Sequence, residues 1–577
     1  MLVTNTDPMQ DANRHMHRSF ISIGIVSLFV NLLMLSGPLY MLQVYDRVLS
    51  SQSEQTLVAL TILVIGLYGV MAALEAIRSG MMARVAGVFE CTLTNPVFHT
   101  NARLAIYSDD SKERPDPVRD LDQCRSFLSG SGPLAMFDLP WLPVYLAIVF
   151  LIHPYLGILA TIGAVLLVVM MLIINKLSQK PVYEGASAIS HRSAMATAVR
   201  ANPGAALGMG MTANLARRWE KATVGLLSAQ TRAADISGTF KAITKSSRLF
   251  LQSAVLGLGA YLALQDQISA GMMLAASIIS ARALAPVEQV IGSWRSLIAA
   301  RQAKTRLTAA LELTKIKPIS AKLPLPKRTL TVEGLCSGPR RANVVLRGVS
   351  FELHAGDGLG VIGGSGSGKT SLGRALLGIW PVLAGTVRLD GASIDQWTPE
   401  ALGGAVGFLP QEAGLFDGTI AQNIARFDSD ATTDAVIHAA KQAGVHELVT
   451  AMPDGYATQI GEGHLQLSAG QRQRIGLARA LFGEPFLVIL DEPNANLDAD
   501  GDAFLSRAIS NVRNRGGIVI VIAHRPSASA IASVDQLLVI RDGRQIEYGP
   551  KQSVLKSMTK NSSQIQSAAG LKVAHRA

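Results

Sequence analysis

The chain has 577 residues, 49% of them hydrophobic and 16% charged, with a formal net charge of +11. That length allows two or three domains, and a positive mean hydropathy argues against an ordinary soluble enzyme. Three cysteines at unrelated spacings (Cys91, Cys124, Cys336) exclude a disulfide framework and a cysteine metal site.

Residues 1–18 are polar and end without the short apolar core and small-residue site of a cleavable signal, so none is expected. Six membrane spans follow. Residues 20–42 and 56–74 carry no charge, and each can cross about 30 Å of hydrocarbon. Residues 134–152 form a weaker third span, with Asp138 near its start and Pro140 and Pro143 beside Trp141. Residues 155–175 are strongly apolar; 249–264 and 268–290 are moderate, the last containing Arg282 and Glu288. By these boundaries Asp138 and Arg282 are intramembrane charges. A translocation path is their default reading, an interfacial position the alternative.

The links 43–55, 153–154 and 265–267 are short, whereas 75–133 and 177–248 are long and helical in pattern. Lysine and arginine crowd the long links, and the short ones hold only Arg47. The long links are therefore expected in the cytoplasm with the N-terminus. The same rule accounts for the net charge without any nucleic acid partner. Segment 295–316 reads as the cytoplasmic end of the sixth helix, and Pro-rich 318–328 as a linker. The expected division is 1–18 N-terminal segment, 19–317 membrane domain, 318–328 linker, 329–560 ATPase domain and 561–577 disordered tail.

The second half opens with a short apolar strand, Gly360-Val361-Ile362, then Gly363-Gly364-Ser365-Gly366-Ser367-Gly368-Lys369-Thr370-Ser371. Glycines there let successive N–H groups converge on phosphate oxygens at a helix N-terminus. Lys369 is expected on the β- and γ-phosphates of ATP, and the Thr370 hydroxyl on Mg²⁺. Farther on, 486–490 is an apolar run ending in Asp491 and Glu492. A buried parallel strand would present both acids at its carboxyl end. Asp491 would hold Mg²⁺ and Glu492 would act as general base toward the attacking water.

Between these strings lies Leu467-Ser468-Ala469-Gly470-Gln471. With it, residues 330–560 resemble the ATP-binding cassette (ABC) superfamily. The signature carries Ala469 where the family more often has glycine, and in the family it contacts the γ-phosphate held by the other subunit. Gln411 in Phe408-Leu409-Pro410-Gln411-Glu412 resembles the Q-loop, which senses Mg²⁺. Asn496-Leu497-Asp498 resembles the D-loop, and His524 the switch histidine. Gly461-Glu462-Gly463 resembles the exporter X-loop. One departure is that 332–340 offers no aromatic residue to stack on adenine, which loosens the expected base selectivity.

The membrane half carries its own strings. Gly37-Pro38-Leu39-Tyr40-Met41-Leu42-Gln43-Val44-Tyr45-Asp46-Arg47 ends the first span. Phe137-Asp138-Leu139-Pro140-Trp141 marks the third, and Arg282-Ala283-Leu284-Ala285-Pro286 the sixth. Together they resemble the permease/ATPase of type I protein secretion, in its PrtD-type branch. The resemblance implies an all-α six-helix transmembrane domain of type IV exporter architecture, followed by an α/β P-loop ATPase domain. It implies a homodimer in the bacterial inner membrane with its ATPase in the cytoplasm. Its partners would be a periplasmic adaptor, a TolC-like outer-membrane channel and an unfolded protein substrate with a C-terminal signal. The absence of a protease-like domain before the first span points away from bacteriocin-maturation and haemolysin-type exporters. An exporter of lipids or small molecules on the same architecture is the alternative; a soluble ABC ATPase is excluded by the spans.

Overall fold

In the computed structural model the described residues are 8–107, 116–314, 323–339, 343–461, 465–524 and 529–558. The expected disordered tail at 561–577, the X-loop residues Glu462 and Gly463, and linker residues 318–322 lie outside them. The chain divides into two compact units, Met1–Ile316 and Lys317–Ala577.

The described part of the first unit is helical throughout. Its elements are α1 (Pro8–Leu33), α2 (Ser36–Gln43), a π turn at Val44–Val48, α3 (Leu49–Ser51), α4 (Glu54–Tyr107), α5 (Pro117–Leu128) and α6 (Ser131–Asp138). A 3₁₀ turn at Leu139–Trp141 leads to α7 (Leu142–Ile152), α8 (Pro154–Ala201), α9 (Pro203–Gly208), α10 (Thr212–Leu264), α11 (Ala270–Gly292) and α12 (Trp294–Leu313). Among the described residues six helical stretches are long and apolar enough to cross a membrane: Pro8–Ser51, Glu54–Leu104, Ser131–Ile152, Pro154–Ala201, Thr212–Leu264 and Ala270–Gly292. Large apolar side chains cover their outer faces, including Ile62, Ile65, Phe250, Leu151 and Leu264. A water-soluble unit could not carry that much exposed hydrocarbon, and closed backbone bonding along helices suits lipid.

Three spans are more broken than the sequence suggests. The first stops at Leu33 and restarts at Ser36, where Pro38 occupies the opening turn that needs no N–H. The third is split at 139–141, where Pro140 and Pro143 withdraw two helical donors. The sixth does not run on into 295–316 as one helix. It ends at Gly292 and restarts at Trp294, with Ser293 between them bonding back through its hydroxyl to the Gln289 and Val290 carbonyls at 3.0 and 3.3 Å.

The second unit contains β1 (Thr329–Ser337), β2 (Leu346–His354), β3 (Gly358–Ile362), β4 (Val382–Leu389), β5 (Ala392–Ser393) and β6 (Val406–Leu409). It continues with β7 (Gly418–Thr419), β8 (Gln459–Ile460), β9 (Leu487–Asp491), β10 (Ile518–Ala523), β11 (Gln536–Arg541) and β12 (Arg544–Pro550). Its helices are α13 (Lys369–Leu376), α14 (Pro399–Ala405), α15 (Ile420–Ile424), α16 (Thr433–Gln442), α17 (His446–Thr450), α18 (Ala469–Leu481), α19 (Ala499–Asn514) and α20 (Ser529–Ala532).

Ten strands form one sheet in the order β5-β4-β1-β2-β12-β11-β3-β10-β9-β6. β11, β3, β10, β9 and β6 run parallel, whereas β1, β2, β4 and β5 pair antiparallel. Alternation along the central strands serves two cores. Val488, Leu490, Val519 and Val521 face the core containing Leu467 and Ile475 of the α18 region. Leu487, Ile489, Ile518, Ile520 and Ile522 face the core containing Leu372 and Leu376 of α13. Burial on both sides is what a parallel sheet covered on each face requires.

Candidate functional site

Ligands of open parallel sheets bind outside the carboxyl ends of the strands. Four such ends meet here. Register pairs Ala523 with Ile362, Ile522 with Asp491 and Leu409 with Leu490, so β3, β10, β9 and β6 finish level with one another. The residues that follow them are Gly363, His524, Glu492 and, two positions on, Gln411.

The loop after β3 depends on its glycines. A Cβ at Gly363 would lie 2.2 Å from the Ile540 carbonyl oxygen, and Gly368 has φ +102°, a conformation that side chains disfavour. Lys369 begins α13 and folds its ammonium back onto the loop. Its Nζ donates to the Gly363 and Gly364 carbonyls at 2.9 and 2.8 Å, with His524 Nδ1 3.5 Å away. Burial lowers the Lys369 pKa, while Glu492 and Asp491 oppose the shift. The Ser367 hydroxyl is buried with no partner. A cradle with unspent donors suits a phosphate chain.

Asp491 ends β9 and is 1% exposed. Burial pushes its carboxyl above the ordinary carboxylate range, opposed chiefly by the Thr370 hydroxyl beside it. Its Oδ1 has no partner. An orphaned carboxylate oxygen next to a hydroxyl fits a small hard cation such as Mg²⁺. Among the described residues no cluster of three or more His, Cys, Asp or Glu forms a cage of its own.

Glu492 adopts φ +50°, a strained conformation for a side-chain-bearing residue and one typical of functional sites. Its N–H donates to the Ile522 carbonyl at 3.0 Å, which holds that turn. Its two oxygens are held from opposite sides. Oε1 lies 2.6 Å from His524 Nε2, and Oε2 accepts from Gln411 Nε2 at 3.3 Å. The structure therefore gathers Lys369, Thr370, Gln411, Asp491, Glu492 and His524 around one opening.

The signature lies elsewhere in the same unit. Ser468 is the N-cap of α18, its hydroxyl accepting from Gln471 N at 3.2 Å while Gln471 Oε1 accepts from Ser468 N at 2.9 Å. This reciprocal capping box satisfies two N–H groups at the start of the helix. Ala469 is exposed at the start of α18, where an extra methyl is easily accommodated. Gly470 has no such freedom: a Cβ there would lie 2.8 Å from the Asn496 carbonyl oxygen. Among the described residues no hydrogen bond or ion pair joins 467–471 to the phosphate loop. Asp498 of the D-loop caps α19 through Gly501 N at 2.9 Å and receives both bonds of Arg474.

Sequence reasoning passed over Gln473, which is 2% exposed. Its amide donates to the Pro493 and Glu492 carbonyls at 2.8 and 3.3 Å and accepts from Asn496 at 3.0 Å, tying α18 to the strand end. Only its pairing across the fold marks it, because polar residues surround it in the sequence.

In the membrane unit Asp138 is buried. Its Oδ1 accepts from Arg78 Nη1 at 2.7 Å and from Asn31 Nδ2 at 2.8 Å. Arg282 is half-buried, and among the described residues no ion pair or hydrogen bond joins it to Asp138.

The model of the ABC transporter family matches residues 346–495, and that of the ABC transporter transmembrane region matches residues 20–286. The chain is 48% identical over 552 residues to the type I secretion system ATP-binding protein PrsD of Rhizobium meliloti (strain 1021), covering 96% of this chain and 94% of that protein. It is 28% identical to the toxin RTX-I translocation ATP-binding protein of Actinobacillus pleuropneumoniae, over 93% of this chain and 76% of the relative. Its fold matches a bacterial Atm1-family ABC exporter with ATP bound, with a TM-score of 0.79 and 21% identity, over 94% of this chain and 97% of the exporter.

Proposed function

The chain belongs to the ABC transporter family and couples ATP hydrolysis to transport; on that premise we propose that it is the inner-membrane exporter of a type I protein secretion system. The observation carrying this reading is the reach of the likeness to the Rhizobium meliloti secretion protein, 48% identity through both the membrane and the ATPase units. Its cargo is then an unfolded protein with a C-terminal signal. The cargo passes through a periplasmic adaptor and a TolC-like outer-membrane channel, with the ATPase unit in the cytoplasm.

Bound ATP supplies the bond that is broken, and Mg²⁺ offsets phosphate charge. The chain does the rest by position. The N–H groups of 363–371 and the Lys369 ammonium hold the phosphates, the lysine exchanging two loop carbonyls for phosphate oxygens. Thr370 and Asp491, with Gln411, would hold the cation, which would supply charge neutralisation on the phosphates. Glu492 orients water and accepts its proton, held in place by His524 and Gln411.

The signature Ser468 serves the ATP of a second copy, so the working unit is a homodimer. Mixing Lys369→Ala with Ser468→Arg subunits is expected to restore one intact site and part of the hydrolysis; an active monomer would defeat the homodimer. The function itself is tested by comparing extracellular proteins with and without this transporter. One or a few large secreted proteins should disappear while drug tolerance stays unchanged. Persistence of secretion with collapse of lipid or drug efflux would overturn the protein-export reading.

A further inference from the structure

The membrane unit is built on two apolar cores, and a buried polar layer lies at their seam. One core joins Met16 and Ile23 of α1, Met82 and Phe89 of α4, Leu121 of α5 and Leu307 of α12. The other joins Tyr145 and Val149 of α7 with residues of α8, α10 and α11. The short helix α6 belongs to both, since Leu134 and Phe137 pack on the first core and Ala135 on the second.

Asp138 is the last residue of α6, directly before the break at Leu139–Trp141. Arg78 of α4 and Asn31 of α1 both bond its Oδ1. Arg78 also reaches the Ser27 hydroxyl at 3.3 Å, and Tyr145 of α7 donates to the Asn31 backbone and side-chain oxygens at 2.9 and 3.0 Å. Five polar residues from four helices thus close one junction, all buried.

Two features set this layer apart from a finished structural staple. Both bonds to the carboxylate fall on the same oxygen, so the arginine and the carboxylate do not meet in the two-point arrangement that makes such pairs strongest. In addition, Arg78 Nε is buried without a partner. A buried polar group left unpaired in a native fold calls for an explanation. A pair that is closed but not fully bonded, placed against a helix break, is open to a second arrangement when other partners or water meet the charges. The break is suited to bending, because Pro140 and Pro143 have already removed two helical bonds.

We infer that Arg78 and Asp138 form a latch across this seam. Closed, it holds α6 against α1 and α4. Open, it frees the hinge at 139–141, so that α7 gives up its Tyr145 bonds to Asn31 and moves with the second core while the first stays in place. Both residues are positioning residues, acting through the helix that they hold rather than on cargo or nucleotide. The inference rests on ATP-driven transport alone and not on the nature of the cargo.

The test is amide hydrogen exchange across residues 136–146 of the full-length protein in lipid vesicles, without nucleotide and with ATP plus orthovanadate. Hydrolysis measured in the same vesicles reports separately on the ATPase. In the parent the segment should exchange slowly without nucleotide and faster with it, by about threefold or more. Arg78→Lys, which keeps the charge, should retain this dependence. The double variant Arg78→Met/Asp138→Leu removes both charges without leaving one buried alone, so it should fold. Its segment should exchange fast in both conditions. Equal protection of the parent in the two conditions overturns the latch. So does a double variant that stays as protected as the parent. A double variant that cannot fold also overturns it, because the pair is then a requirement of the fold and not a moving part.

Discussion

The ATPase unit and the membrane unit both bury charge, and they do so in opposite ways. In the ATPase unit, Asp491 and Lys369 each belong to a short sequence string, at a strand end and a helix start that sheet register sets side by side, and Asp491 keeps an oxygen without any partner. In the membrane unit, Asp138 is closed by Arg78 and Asn31, which are 60 and 107 positions away in the chain. The first arrangement leaves a carboxylate oxygen for a ligand; the second uses its carboxylate to join helices, with Arg78 Nε left over. A buried charge is thus read by what remains unspent beside it.

The largest expected effect tests the ligand side of this contrast. Glu492→Gln keeps shape and reach but loses the base, so hydrolysis should fall about 10²–10⁴-fold while ATP remains bound. Lys369→Ala should differ in kind, losing bound nucleotide together with turnover. Near-normal turnover in Glu492→Gln would shift the proton-accepting role toward His524.

Next comes the assembly side. Asp138→Ala leaves the Arg78 guanidinium buried and alone, and should cost about 3–5 kcal/mol of membrane-unit stability, read as loss of folded protein on heating. Nucleotide affinity should not change. A fall in ATP binding without loss of fold would break the contrast between the two units.

A smaller effect sharpens it through pH. Burial raises the Asp491 pKa above its ordinary value, so the ionised form is the costly one. That cost is fully present above the raised pKa and vanishes as pH falls below the ordinary value of 3.8. Asp491→Asn should therefore stabilise the nucleotide-free protein at pH 7 by about 1 kcal/mol, lose that gain in acid, and abolish hydrolysis. Destabilisation at pH 7 would mean that the carboxylate serves the fold rather than a ligand. The smallest effect belongs to Ser468→Ala. Losing the capping box should cost about 1 kcal/mol, visible as a lower melting temperature even without nucleotide. The signature serine would in that case serve its own helix as well as a second subunit.

The phosphate loop, the acidic strand end and the six apolar stretches were legible because each is local. A strand followed by glycines and a lysine, or about 20 apolar residues in a row, states its physics within a few turns of chain. Even the departure at Ala469 is explained locally, by an exposed position at the start of α18. Local reading was weaker where a helix stops. Proline spacing hinted at the broken third span, but nothing in the composition announces the stop of the sixth helix at Gly292.

What the sequence by itself determined is therefore the chemistry available to each unit: phosphate-binding donors in one, membrane-spanning hydrocarbon in the other. What only the tertiary structure decided is which distant residues meet. Gln473 and the Glu492 turn, Glu492 between His524 and Gln411, and Asp138 with Arg78 are all pairings between separate elements. The physical reason is that motif and periodicity report the bonds a segment makes with itself. A buried polar group instead takes whatever partner packing brings to it, and that partner is set by the register of strands and the crossing of helices.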